Sequence, residues 1–112
     1  MELHSITEKQ FLDLQEELAE GEEIDSLTDL FKALCDPTRL RILFALRGTE
    51  LCVHDLAALV ESSESNTSHQ LRILREMRLV KNHRKGKQVF YSIDDDHVTR
   101  IIDDVRSHLN EE

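Results

Sequence analysis

Four side chains near the C-terminal end of this 112-residue chain have the types and spacing to hold a metal ion: Asp95, His97, His108 and Glu111, in the pattern Asp-x-His-x10-His-x2-Glu. Imidazole nitrogen and carboxylate oxygen together make a donor set suited to zinc. Among them lie Val98, Ile101, Ile102, Val105 and Leu109, whose spacing of three and four residues predicts one apolar helical face. At about 1.5 Å of rise per residue, His97 and His108 stand about 16 Å apart along such a helix, so one ion cannot reach both. Two copies crossing antiparallel remove that difficulty. The Asp95/His97 end of one copy then meets the His108/Glu111 end of the other, giving two identical four-ligand sites. The pattern predicts dimerisation and metal binding together.

A second chemistry lies upstream. Residues 65–93 carry Arg72, Arg75, Arg78, Lys81, Arg84, Lys85 and Lys87 against Glu76 alone, a net of +6 in a chain whose formal charge is −9. A basic face on an acidic body points to a polyanionic partner. Ser65, Asn66, Thr67, Ser68, His69 and Gln70 are short hydrogen-bonding groups at the start of a predicted helix, where base edges are read in helix-turn-helix proteins. Arg72 and Arg75 further along suit phosphate contact. Arg84, Lys85 and Lys87 around Gly86 form the tip of a basic hairpin.

The elements that must position these groups follow from capping and periodicity. Thr7 with Gln10 reads as a capping box, and Phe11, Leu14 and Leu18 continue at helical spacing until Gly21 and the acids to Asp25 end the helix. Leu27, Leu30, Phe31 and Leu34 form the next stripe. Asp36-Pro37 supplies an N-cap and an N1 proline for a helix that stops at Gly48. A short helix from His54, a polar turn with Ser63 or Ser65 as cap, and a helix with Leu71, Leu74 and Met77 facing inward make a helix-turn-helix over 53–78. Alternation around Gly86 predicts a hairpin over 80–93, and Asp94–Asp96 start a final helix over 94–110. The expected fold is mainly α with a small β-hairpin: one winged helix-turn-helix domain over 1–112, with an N-terminal arm over 1–25 and dimerisation helices at both ends.

The stretches FKALCDPTRLRILFAL, ELCVHDLAALV and SESNTSHQLRILREMRLVKNHRKGKQVFYSI resemble the ArsR/SmtB family of metal-responsive winged-helix repressors. The resemblance covers nearly the whole chain apart from the first twenty-five or so residues. It implies a homodimer that binds double-stranded operator DNA without metal and releases it when metal binds. Asp95, His97, His108 and Glu111 match the interhelical site of the family's zinc sensors, with Zn(II) as regulatory ligand and Co(II), Ni(II) or Cd(II) as other candidates. Cys52-Val53-His54 stands where the thiolate-rich sensors carry Cys-Val-Cys. The His in place of the second Cys removes a trithiolate site. A mixed site from Cys52, Asp55 or His54, and His4 of a second chain remains a secondary expectation.

Composition bounds the rest. Two cysteines make no disulfide framework, no secretory segment is visible, and no apolar run reaches the length of a membrane span. The reading is a cytoplasmic, reducing-compartment protein without membrane contact. The alternative within the same fold is a thiol-, redox- or soft-metal-responsive repressor using Cys52, with Cys35 as a further thiol. A metal hydrolase lacks a His-Glu-x-x-His motif, and its ligands are too far apart within one chain. A partner module without DNA activity is the remaining class. The chain is not expected to be an enzyme.

Overall fold

The computed structural model describes residues 2–18 and 20–111; Met1, Ala19 and Glu112, included in the expected 1–112 domain, lie outside the described residues. Six helices and three strands follow in the order α1 (Glu8–Glu17), α2 (Gly21–Leu34), α3 (Pro37–Ala45), β1 (Leu51–Cys52), α4 (Val53–Leu59), α5 (Glu64–Glu76), β2 (Val80–Lys85), β3 (Gln88–Ile93) and α6 (Asp96–Leu109).

Each of several helix starts has a local cause. The Thr7 side chain accepts from the Gln10 backbone N–H while the Gln10 side chain accepts from that of Thr7, closing the capping box. Asp36 accepts from the Arg39 N–H and Pro37 occupies the first turn of α3. Ser63, rather than Ser65, caps α5 by accepting from Asn66. Several boundaries differ from expectation: Gly21 begins α2 instead of closing the helix before it, so the arm expected over 1–25 runs into α2; α3 ends at Ala45, short of Gly48; and α6 runs Asp96–Leu109 within the expected 94–110. Glycine's entropic penalty is that of a helix interior, so it is tolerated at the first position, and Glu22 and Glu23 suit the positive end of the helix dipole.

Both helices of the helix-turn-helix finish in left-handed turns built on residues other than glycine. Glu61 has φ 54° and Arg78 φ 60°. After α4, Ser62 N–H donates to Ala57 O and Glu61 N–H to Ala58 O; after α5, Leu79 N–H donates to Leu74 O and Arg78 N–H to Arg75 O. Both are Schellman motifs. They fix the turn into α5 and the exit into the hairpin.

The hairpin β2–β3 pairs antiparallel from Val80↔Ile93 to Lys85↔Gln88, with Gly86 at φ 62° in its turn. The sheet has a third strand, β1, paired with β3 through Leu51↔Tyr91 and Cys52↔Phe90, giving the order β1-β3-β2. Two residues carry no readable period, so this strand had no sequence signature. The core gathers Ile42 of α3 and Leu46 at its C-cap, Leu56 of α4, Leu71 and Leu74 of α5, and Val80 of β2, all essentially inaccessible to solvent. α1 contributes no buried residue. α6 buries Val98 alone and leaves Ile101, Val105 and Leu109 exposed.

Candidate nucleic-acid interface and metal-ligand pairs

α5 divides its residues by helical position. Thr67, Leu71 and Leu74 face the core, while Ser65, Asn66, Ser68, His69, Arg72 and Arg75 are exposed. Thr67 therefore leaves the expected base-reading set. It has no solvent exposure, and its Oγ1 has no hydrogen-bond partner among the described residues. Its place four residues before Leu71 puts it on the inward stripe, and position overrides its polar type.

Gln70 is half-buried and engaged within the chain. Its Oε1 accepts from Arg39 Nε at 2.8 Å, and its Nε2 donates to Asn66 Oδ1 at 3.3 Å. Asn66 Nδ2 in turn donates to Ser62 Oγ at 2.8 Å. Arg39 had no signal in the sequence that marked it as functional.

In the wing, Arg84, Lys85 and Lys87 are exposed. Lys85 is also held from the body, where its ammonium donates to Glu50 Oε1 and lies 5.3 Å from the centre of the Phe90 ring. His83 Nε2 stands 3.0 Å from Glu50 Oε2, and its ring stacks on Phe90. The Lys85 hydrogen bond holds the Glu50 carboxyl below the usual carboxylate range; partial burial opposes this, and the charges of His83 and Lys85 reinforce it.

At α6, Asp95 is the N-cap, its Oδ1 accepting from the His97 backbone N–H at 2.8 Å. The same oxygen lies 3.2 Å from His97 Nδ1. At the other end His108 Nδ1 is 4.0 Å from Glu111 Oε2, with Glu111 just past the helix. All four side chains are exposed. Two ligands of a tetrahedral zinc, each about 2.0 Å from it, lie about 3.3 Å from each other. The Asp95/His97 spacing of 3.2 Å fits such an edge, and the His108/Glu111 spacing of 4.0 Å is wider than one. Among the described residues no three candidate ligands gather within one chain. Within one chain the two pairs stay apart, one at each end of α6.

α6 is fastened to the body by Arg47, which pairs with Asp103 at 2.8 Å and lies over the Phe44 ring, as does Arg106. Beside this fastening, α2, α3 and α6 enclose an open apolar groove of about 570 Å³ that includes Phe31, Leu34, Phe44, Ile101, Val105 and Leu109.

The cysteine element looks different. Cys52 is buried at the end of β1, while Cys35 is exposed after α2. His54 and Asp55 are exposed, and His54 faces Glu64 at 3.5 Å. His4 is exposed in the N-terminal arm. The secondary set of Cys52, His54, Asp55 and His4 is not gathered within one chain.

Residues 36–82 match the profile of the bacterial regulatory protein arsR family. The chain is 47% identical over 103 residues to a transcriptional repressor SmtB homolog of Synechocystis sp., covering 92% of this chain and 78% of that one. It is 39% identical over 98 residues to a cadmium resistance transcriptional regulatory protein CadC homolog of Staphylococcus aureus, covering 87% and 80%. The crystal structure of NolR from Sinorhizobium fredii superposes with a TM-score of 0.75 at 25% identity, over 98% of this chain and 100% of that one. With the capped α5, the basic wing and the three-stranded sheet in place, the chain belongs to the arsR family of bacterial regulatory proteins, winged helix-turn-helix transcriptional regulators rather than enzymes.

Proposed function

We propose that this protein is a metal-responsive transcriptional repressor acting as a homodimer. Metal-free dimers bind double-stranded operator DNA through α5 and the wing, and Zn(II) at the α6 helices releases it. The observation that carries this reading is the layout of α6, which has an exposed His/carboxylate pair at each end and an apolar stripe between them that the chain leaves open. A second copy of α6, antiparallel, covers the stripe and supplies the missing half of each donor set. Asp95 and His97 of one protomer with His108 and Glu111 of its partner then make a closed four-ligand site, which has no open position for hydrolysis. Relatives named as a transcriptional repressor and as a cadmium resistance regulator support a metal signal.

Exposed Ser65, Asn66, Ser68 and His69 meet base edges, while Arg72, Arg75, Arg84 and Lys87 meet phosphates; Lys85 joins them on exchanging Glu50 for phosphate. Linkage requires that DNA weaken metal binding by the factor by which metal weakens DNA binding. The test is titration of Zn(II) into a complex with labelled upstream DNA. Wild type should lose affinity tenfold or more, and His97→Ala should not respond. Unchanged affinity in both proteins removes the allosteric claim. Co(II) spectra locate the site: tetrahedral bands without a thiolate band favour α6, and a strong thiolate band favours Cys52.

A further inference from the structure

Arg39 lies outside both the base-reading face and the metal pairs, yet it joins three helices. Its backbone N–H is the donor to the Asp36 cap of α3. Its guanidinium donates through Nη1 to Ala33 O at 3.0 Å and Lys32 O at 3.3 Å, and through Nε to Gln70 Oε1 at 2.8 Å. The two carbonyls belong to the last turn of α2, where a cation is favoured; Lys32 O also accepts from the Cys35 N–H at 3.2 Å, so the shorter bond to Ala33 O is the one that ends an open carbonyl row. Gln70 lies on α5, 31 residues further along the chain. One planar fork therefore ties the end of α2 to half-buried Gln70 at the edge of the exposed face of α5.

The chemistry of the fork has a directional effect. Arginine has donors and no acceptor, so Gln70 must turn its oxygen to Arg39 and its NH2 towards Asn66. Asn66 must then present its oxygen to Gln70 and its NH2 to Ser62, as observed. The donor end and the acceptor end of each amide on this face are thus set from outside the helix. α2 is also a wall of the apolar groove, with Phe31 and Leu34, opposite Ile101 and Val105 of α6. A shift of α2 against α6 has a direct hydrogen-bonded route to the amides that stand among the base-reading groups.

We propose that Arg39 is a positioning residue for sequence recognition: it sets the placement of α5 against α2 and the donor–acceptor polarity of the Asn66–Gln70 amide ladder. The proposal rests on the DNA-binding reading above. Lysine keeps the charge but is a point donor, and it cannot span the α2 carbonyls and Gln70 with a rigid fork.

Arg39→Lys should therefore keep its affinity for a random labelled duplex within twofold. Its preference for the duplex upstream of its own gene over that random duplex should fall tenfold or more. In a double-mutant cycle, Arg39→Met with Gln70→Met should lose no more preference than Gln70→Met alone, because both remove one link. Side-chain amide NMR gives a readout free of DNA: the Asn66 NH2 resonances should move in Arg39→Lys, although Arg39 does not touch Asn66, and again in Gln70→Met. An unchanged duplex preference, losses that multiply in the cycle, or unmoved Asn66 resonances would each overturn the proposal. A wild-type protein that binds both duplexes equally removes the DNA reading instead, and the Asn66 resonances then decide whether Arg39 sets the ladder.

Discussion

Glu50 joins β1 to the wing through Lys85 and His83, and its charge state has a calculable direction. Its folded pKa is lowered, chiefly by the Lys85 hydrogen bond. The contribution to stability is then present above the unfolded glutamate pKa and is lost as pH falls through the lower folded value. The melting-temperature gap between wild type and Glu50→Gln should be full at pH 7 and shrink in acid below about pH 4. A gap that stays constant into acid would show that Glu50 acts by packing alone. Thr67 presents the opposite case, a buried hydroxyl with no hydrogen-bond partner among the described residues. Thr67→Val keeps the shape and removes the hydroxyl, so stability in urea should be unchanged or rise by about 1–2 kcal/mol. DNA affinity should stay within twofold; a tenfold loss in a stable variant would return Thr67 to the base-reading set.

At the scale of elements, the wing makes its own prediction. Arg84 and Lys87 are exposed at the hairpin tip without the tether that holds Lys85. Each phosphate contact removed should lower the slope of log affinity against log salt by about 0.9. Arg84→Ala and Lys87→Ala, measured across a salt series, test this one side chain at a time, and an unaltered slope places the residue off the backbone. Which elements exist was largely legible, because caps and turns are local chemistry: Thr7 with Gln10, Asp36-Pro37, Ser63, Gly86 and Asp95 all act within three residues of themselves. β1 was not legible, since two residues have no period. Gly21 misled because a helix breaker and a first-turn residue look alike without the turn that follows. Thr67 misled because residue type was weighed above a position four residues from Leu71. The Arg39–Gln70 bond escaped entirely, as periodicity tells which face of a helix is buried and nothing of what meets it. For the two His/carboxylate pairs, donor types and spacing were readable, and among the described residues no third candidate ligand of the same chain joins either pair.

The whole molecule is long for its size. Its radius of gyration is 19.1 Å within extents of 63 × 36 × 21 Å. A compact domain of this length would have a radius near 13 Å. The excess lies in helices that do not bury their apolar faces: α1 and its C-cap leave Leu12, Leu14 and Leu18 exposed, and α6 leaves Ile101, Val105 and Leu109. Val105→Glu places a charge in the middle of the α6 stripe. In sedimentation the variant should run as a monomer with native-like helical content and lose DNA affinity at least tenfold; a dimer that survives would move the interface elsewhere.

The open stripes of α1 and α6 also bear on the life of the chain before it finds a partner. If pairing of copies covers those faces, it does so only as fast as copies meet, so at low expression each new chain would spend longer with its apolar helices presented to chaperones and proteases. Degradation should therefore fall hardest on unpaired chains. The supply of competent repressor would then rise more steeply than its rate of synthesis, a threshold set by dilution and not by metal.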